Sequence, residues 1–74
     1  MSRLPTITAK DCVKALLRGG FVSGHQHGSH LYLKHPETGN RTVVPMHSGD
    51  LPRPLLKAII KQTGLTEDEF RDLL

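Results

Sequence analysis

The sequence predicts an α+β domain of two layers, in the order α-β-β-β-α with a short extra C-terminal helix, its helices packed on one face of a three-stranded antiparallel sheet. Three observations carry that prediction. Apolar residues recur with helical period at Ala9, Cys12, Val13, Leu16 and Leu17, and again at Leu55, Leu56, Ile59 and Ile60. Between these segments lie three short stretches of alternating or β-branched character, separated by glycine- and proline-rich turns. The chain has 74 residues, which is one domain (1–74) that buries only about 60% of its unfolded surface and leaves no room for a second module.

The first helix starts at Thr8, whose hydroxyl, with Asp11 three residues on, makes a capping pattern; Gly19-Gly20 ends it, with Arg18 suited to the negative end of the dipole. Phe21-Val22 opens a strand, Gly28-Ser29 turns it, and His30-Leu31-Tyr32-Leu33-Lys34-His35 returns with period two, so the pair reads as a β-hairpin. Pro36 to Asn40 is rich in turn formers, and Arg41-Thr42-Val43-Val44-Pro45 follows as a third strand that Pro45 ends or places at an edge. After a loop from Met46 to Leu51, Pro52 and Pro54 fall where a helix's first N–H groups have no partner, and the second helix runs to Gly64. Thr66 and Glu69 form a second capping box, after which Phe70, Leu73 and Leu74 give a short third helix one apolar side.

Composition excludes several classes. No apolar run approaches the roughly 20 residues of a membrane span, and the N-terminal Met1-Ser2-Arg3-Leu4-Pro5 has no apolar segment behind it, so the expected location is cytoplasmic. The lone Cys12 has no disulfide partner and reads as a buried helix residue. Charge is informative by position. Residues 1–64 hold nine of the ten Lys and Arg against three acids, while Glu67, Asp68, Glu69 and Asp72 crowd the C-terminal end. A basic body suits a polyanionic partner, because cations near phosphates release condensed counterions, although a merely solvated basic surface has the same composition.

Five histidines, His25, His27, His30, His35 and His47, are the most unusual local feature. Three readings compete. His25-x-His27 points two imidazoles to one side of a strand, but neither a cysteine pair nor a helical His-Glu-x-x-His completes a zinc set, so no metal is expected. Exposed histidines without function are the second reading, favoured for His35 beside Pro36. The third is acid–base chemistry, because imidazole moves protons in both directions near neutral pH, and it is favoured for His30. If the strand alternates, Leu31 and Leu33 face the helices while His30, Tyr32 and Lys34 line the open face. Tyr32 can then stack on an unpaired base, Lys34 can attract a phosphate, and Ser29 offers a hydroxyl beside the histidine. Spacing alone supports a nucleic-acid-binding module carrying a histidine of catalytic type.

At these residues the sequence resembles the HicA family of mRNA interferase toxins. The similarity runs through Leu4-Pro5, Ala15-Leu16-Leu17, Gly20-Phe21, Gly28-Ser29-His30, Val43-Val44-Pro45, His47, Leu56 to Gln62 and Gly64-Leu65, in order and over nearly the whole chain. The resemblance implies a fold like that of a double-stranded-RNA-binding domain and an endoribonuclease that cuts RNA without a metal or other cofactor. It implies that His30 is the functional histidine, and that a HicB-type antitoxin protein covers the active surface and carries the DNA-binding part of the pair, so this chain is expected to make no DNA contact by itself.

Two departures from the family pattern stand out. His25 and His27 occupy positions where relatives often have Arg or Lys, which predicts RNA affinity that rises as pH falls toward the ordinary histidine range of about 6.5. Pro52-Arg53-Pro54 replaces a Gly-Thr pair at the start of the second helix, which stiffens it and re-aims Arg53 and Lys57. The expected RNA-binding set is His27, Ser29, Tyr32, Lys34, Arg41, Arg53 and Lys57 around the catalytic His30, with Lys34 and Arg41 as cations for the charge that develops on phosphorus. A non-catalytic RNA-binding module of the same fold, in which His30 is dispensable, is the alternative, and a pure interaction subunit is a third.

Overall fold

A computed structural model of the protein describes residues 4–74; of the N-terminal segment read above, Met1 to Arg3 lie outside the described residues. The observed order is α1 (Ala9–Arg18), β1 (Val22–His27), β2 (His30–Lys34), β3 (Arg41–Pro45), α2 (Arg53–Thr63) and α3 (Glu67–Asp72). The strands form one antiparallel sheet in the order β1-β2-β3, and the helices cover one of its faces. This is the α+β architecture expected from the sequence, the short C-terminal helix included. No helix among the described residues is long and apolar enough to cross a membrane.

Local chemistry sets the helix ends. The Thr8 hydroxyl accepts the Asp11 N–H at 3.2 Å, which satisfies one of the orphan donors of the first turn. At the other end, Gly20 has a φ of +96°, its N–H donates to the Leu17 carbonyl, and the Phe21 N–H donates to the Leu16 carbonyl. Those two bonds make a Schellman motif, whose usual apolar contact is supplied by Leu16 and Phe21, both buried. Pro52 is the N-cap of α2, with Pro54 inside its first turn, and Gly64 caps its C-terminus in the left-handed region. The Asn40 side chain reaches from the β2–β3 turn to donate to the Thr63 carbonyl at 3.0 Å, tying sheet to helix. In α3, Thr66 and Glu69 form a complete reciprocal capping box.

The core gathers one face of every element except β1, whose residues are all exposed. Cys12 and Leu16 from α1, Leu33 from β2, Val44 from β3, Leu56, Ile59 and Ile60 from α2, and Phe70 from α3 are all nearly or fully buried. Thr42 faces the same core, and its hydroxyl donates to Gln62 Oε1 at 2.7 Å, so the polar group is not left unpaired. Burial pushes the Cys12 thiol up to about 12. Two expectations of the apolar pattern need correction. Leu17 is 46% exposed, because the helix buries a stripe narrower than the run of apolar residues in the sequence. Leu74 is 40% exposed, because α3 stops at Asp72 and the last residue lies past the helical face that Phe70 buries.

Candidate nucleic-acid interface

The sheet face turned away from the helices carries the candidate site. In β2 the alternation is as the sequence predicts: Leu33 is buried and Leu31 packs on the core, while His30, Tyr32 and Lys34 are exposed. Strand register adds their neighbours, since His30 pairs with Pro45, Tyr32 with Val43 and Lys34 with Arg41 on β3. On the other side His27 of β1 pairs with His30, across the two-residue turn Gly28-Ser29. Cross-strand partners have Cβ atoms about 5 Å apart, so the two imidazoles are immediate neighbours.

The turn itself is chemically specified. Gly28 has a φ of +61° and no other residue type among those described has positive φ, so Gly-Ser fits the II′ pattern that matches the twist of a hairpin. Gln26 Nε2 donates to the Gly28 carbonyl at 3.1 Å, and the Met46 N–H donates to the Ser29 carbonyl, which extends the β2–β3 ladder to the turn. The role seen for Ser29 is thus a backbone tie between the turn and the loop after β3.

An irregularity in β1 shapes the rest of the face. Ser23 pairs with Leu33 and Gln26 with Leu31, so Gly24 and His25 together face Tyr32 alone, as in a β-bulge. The extra residue shifts only the Val22–Gly24 end of the strand, since His27 opposite His30 and Gln26 opposite Leu31 already set His25 opposite Tyr32. His25 comes onto the open face, where its ring stacks on Tyr32 with centroids 4.9 Å apart and planes within 17° of parallel. The sequence points to His25, with His27, as a source of pH-dependent RNA affinity but leaves it out of the expected RNA-binding set, and its stacking on Tyr32 is not foreseen there. The available signal was the two-residue Gly28-Ser29 turn, which fixes the hairpin register and sets His25 opposite Tyr32.

Beside this stack a groove of about 630 Å³ is lined by His25, Tyr32, Lys34, Arg41, Val43 and Gln62, among others. Lys34 and Arg41 stand directly opposite each other, a like-charge arrangement that is unfavourable unless an anion lies near. Neither makes an ion pair with an acid among the described residues.

The other expected residues are placed elsewhere. Arg53 and Lys57 belong to α2, in the helical layer rather than on the open face, and the Arg53 guanidinium donates to the Leu4 carbonyl. His47 lies in the loop after β3 and lines a shallow depression with Thr8, Ala9 and Lys10 at the start of α1. His35 is structural, since its Nδ1 accepts the Glu37 and Thr38 N–H groups at 3.2 and 3.4 Å, and its ring meets Phe21 edge-on at 5.1 Å. Among the described residues no three His, Cys, Asp or Glu side chains are grouped to hold a metal ion.

These features define a small two-layer α+β domain of α-β-β-β-α order, with histidines, a tyrosine and cations collected on its open sheet face. The sequence profile of the HicA toxin of bacterial toxin–antitoxin systems matches residues 9–65, well over half of the chain, and the protein belongs to that family. It is therefore a toxin component whose family implies an antitoxin partner. No curated protein matches the chain at a significant level.

Proposed function

We propose that this toxin is a metal-independent endoribonuclease in which His30 is the general base, and that a HicB-type antitoxin neutralises it by covering the open face of the sheet. The observation that carries the reading is the company His30 keeps. It is exposed, paired with His27 across the hairpin, and on the same face as Tyr32, Lys34 and Arg41.

The chemistry follows from those neighbours. His30 takes the proton of a ribose 2′-hydroxyl, the oxygen attacks the adjacent phosphorus, and the bond to the 5′-oxygen of the next nucleotide breaks. The products are a 2′,3′-cyclic phosphate and a 5′-hydroxyl, with the leaving oxygen taking its proton from water or from His27 once it is charged. Lys34 and Arg41 lie four residues along the strand from His30, about 13 Å away, and hold the phosphate of a neighbouring nucleotide rather than the reacting one. Arg53, Lys57 and Lys61 are set apart on α2, and their part is to hold the flanking RNA backbone by charge rather than to serve the reacting phosphate.

The test compares the native protein with His30→Ala on a long single-stranded RNA in excess chelator, with the fold of each checked by circular dichroism. Cleavage by the native protein alone, with cyclic-phosphate ends and no cleavage of the 2′-deoxy analogue, is the expected result. Binding by both without cleavage by either would instead make the domain a non-catalytic RNA-binding module.

A further inference from the structure

The groove beside the His25–Tyr32 stack is not needed for proton transfer at His30. Tyr32 lies two residues along the strand, roughly 7 Å away, and the groove extends from it toward Lys34 and Arg41, away from the hairpin turn. Its volume lies within the range of about 300–1,000 Å³ that small organic ligands occupy. Its lining divides by chemistry. Two parallel rings and Val43 offer an apolar, π-rich wall, two uncompensated cations stand at the Lys34–Arg41 pair, and Gln62, already accepting from Thr42, brings an amide to the rim.

We infer that this groove is a single-nucleotide subsite, in which one unpaired base of an RNA strand stacks against the His25–Tyr32 pair while its phosphate lies between Lys34 and Arg41. The inference rests on the proposal that the toxin acts on RNA, and it adds where the strand is gripped and by which residues. Every base has a π-face, so the ring pair accepts any of them, and selection falls to the groove's rim. The hairpin register is the device that makes the platform: with His27 opposite His30 and Gln26 opposite Leu31, His25 falls opposite Tyr32, and the extra residue is taken up at Gly24. A nucleotide also relieves the repulsion of the facing cations, which a neutral ligand would not.

Tyr32 is the single tyrosine and the chain has no tryptophan, so intrinsic fluorescence reports this groove alone. The experiment titrates the native protein with a six-nucleotide 2′-O-methyl RNA, which the proposed chemistry cannot cut, and with an abasic strand of the same length and charge. Saturable quenching by the intact strand and little by the abasic one is the expected outcome. His25→Ala should weaken binding of the intact strand about tenfold, while His25→Phe, which keeps the stacked ring, restores it. Lys34→Ala and Arg41→Ala should each lower the slope of log affinity against log salt by about 0.7. Equal binding and quenching by the abasic strand, or binding of RNA with no change at Tyr32, overturns the subsite; so does a face that takes up only the antitoxin and no oligonucleotide. Cleavage of long RNA is scored separately. A toxin that cuts through His30 without base-dependent quenching loses only the subsite, and one that quenches but never cuts loses only the nuclease.

Discussion

The helical layer and the β1–β2 hairpin are built on opposite terms. In the first, side chains from α1, α2 and α3 close on Leu33 and Val44, the helix ends are capped, and the polar Thr42 and Thr63 that enter the core find partners. In the second, every residue of β1 is exposed, including Val22 at 57%, and order comes from the backbone ladder, one glutamine bond and a two-residue turn. Free energy of folding is concentrated where apolar area is buried, whereas the candidate site lies on the half of the molecule that buries least. Function and stability should therefore separate cleanly on substitution.

The strongest challenge to that separation comes from the core. Leu56→Ala removes a fully buried side chain beneath the sheet and should cost about 2–5 kcal/mol in urea unfolding, a large share of what a 74-residue domain has. The affinity of the molecules that remain folded should change little; a large loss of RNA affinity at temperatures where the variant is still native would show that the layers are coupled.

Alkaline pH applies a milder stress to the same layer. With its folded pKa raised to about 12 from an ordinary value of 9.0, Cys12 favours folding fully below pH 9. Above that pH the unfolded chain releases the thiol proton and the folded one does not, so stability falls as pH rises, by about 1.4 kcal/mol per unit until the folded pKa is reached. Urea unfolding between pH 8 and 10.5 should show that additional slope in the native protein and lack it in Cys12→Ala.

Smaller again is the effect expected at the β2–β3 turn. His35→Ala leaves two turn N–H groups without their acceptor and Phe21 without its edge contact, at a cost of about 1–2 kcal/mol in thermal or urea unfolding. His35→Asn, which keeps a side-chain acceptor, should recover part of it. RNA cleavage should survive both, which would set His35 apart from the other histidines. At the far end of the series, His30→Ala should alter stability by no more than about 0.5 kcal/mol while lowering the cleavage rate at least a hundredfold. A comparable loss of stability at His30 and Leu56 would end the distinction between the two regions.

The short helix α3 belongs to both sides of the contrast, because its acids sit exposed in its own first turn while its Phe70 is fully buried. Removing residues 66–74 takes away both, so reduced antitoxin affinity has meaning only beside Phe70→Leu, which preserves burial and the acidic surface. Loss of affinity in the truncation with near-native affinity in Phe70→Leu assigns the surface of α3 to the antitoxin interface.

Much of this molecule is legible one element at a time. Thr8 and Thr66 announce helix starts, Gly64 a helix end, and Gly28-Ser29 a hairpin, because capping and turn formation depend on residues within about four positions of each other. Period-two alternation in β2 placed His30, Tyr32 and Lys34 on one face for the same reason. Sequence by itself therefore determined the order of elements, the core face of β2 and most of the buried stripe of the helices, and the company of His30 within its own strand. Tertiary structure alone decided that Arg41 stands opposite Lys34, that Arg53 is tied to the Leu4 carbonyl, and that Leu17 and Leu74 stay exposed. Each of these depends on strand register across a loop or on how far one element covers another, and neither is written in the local pattern of any single segment.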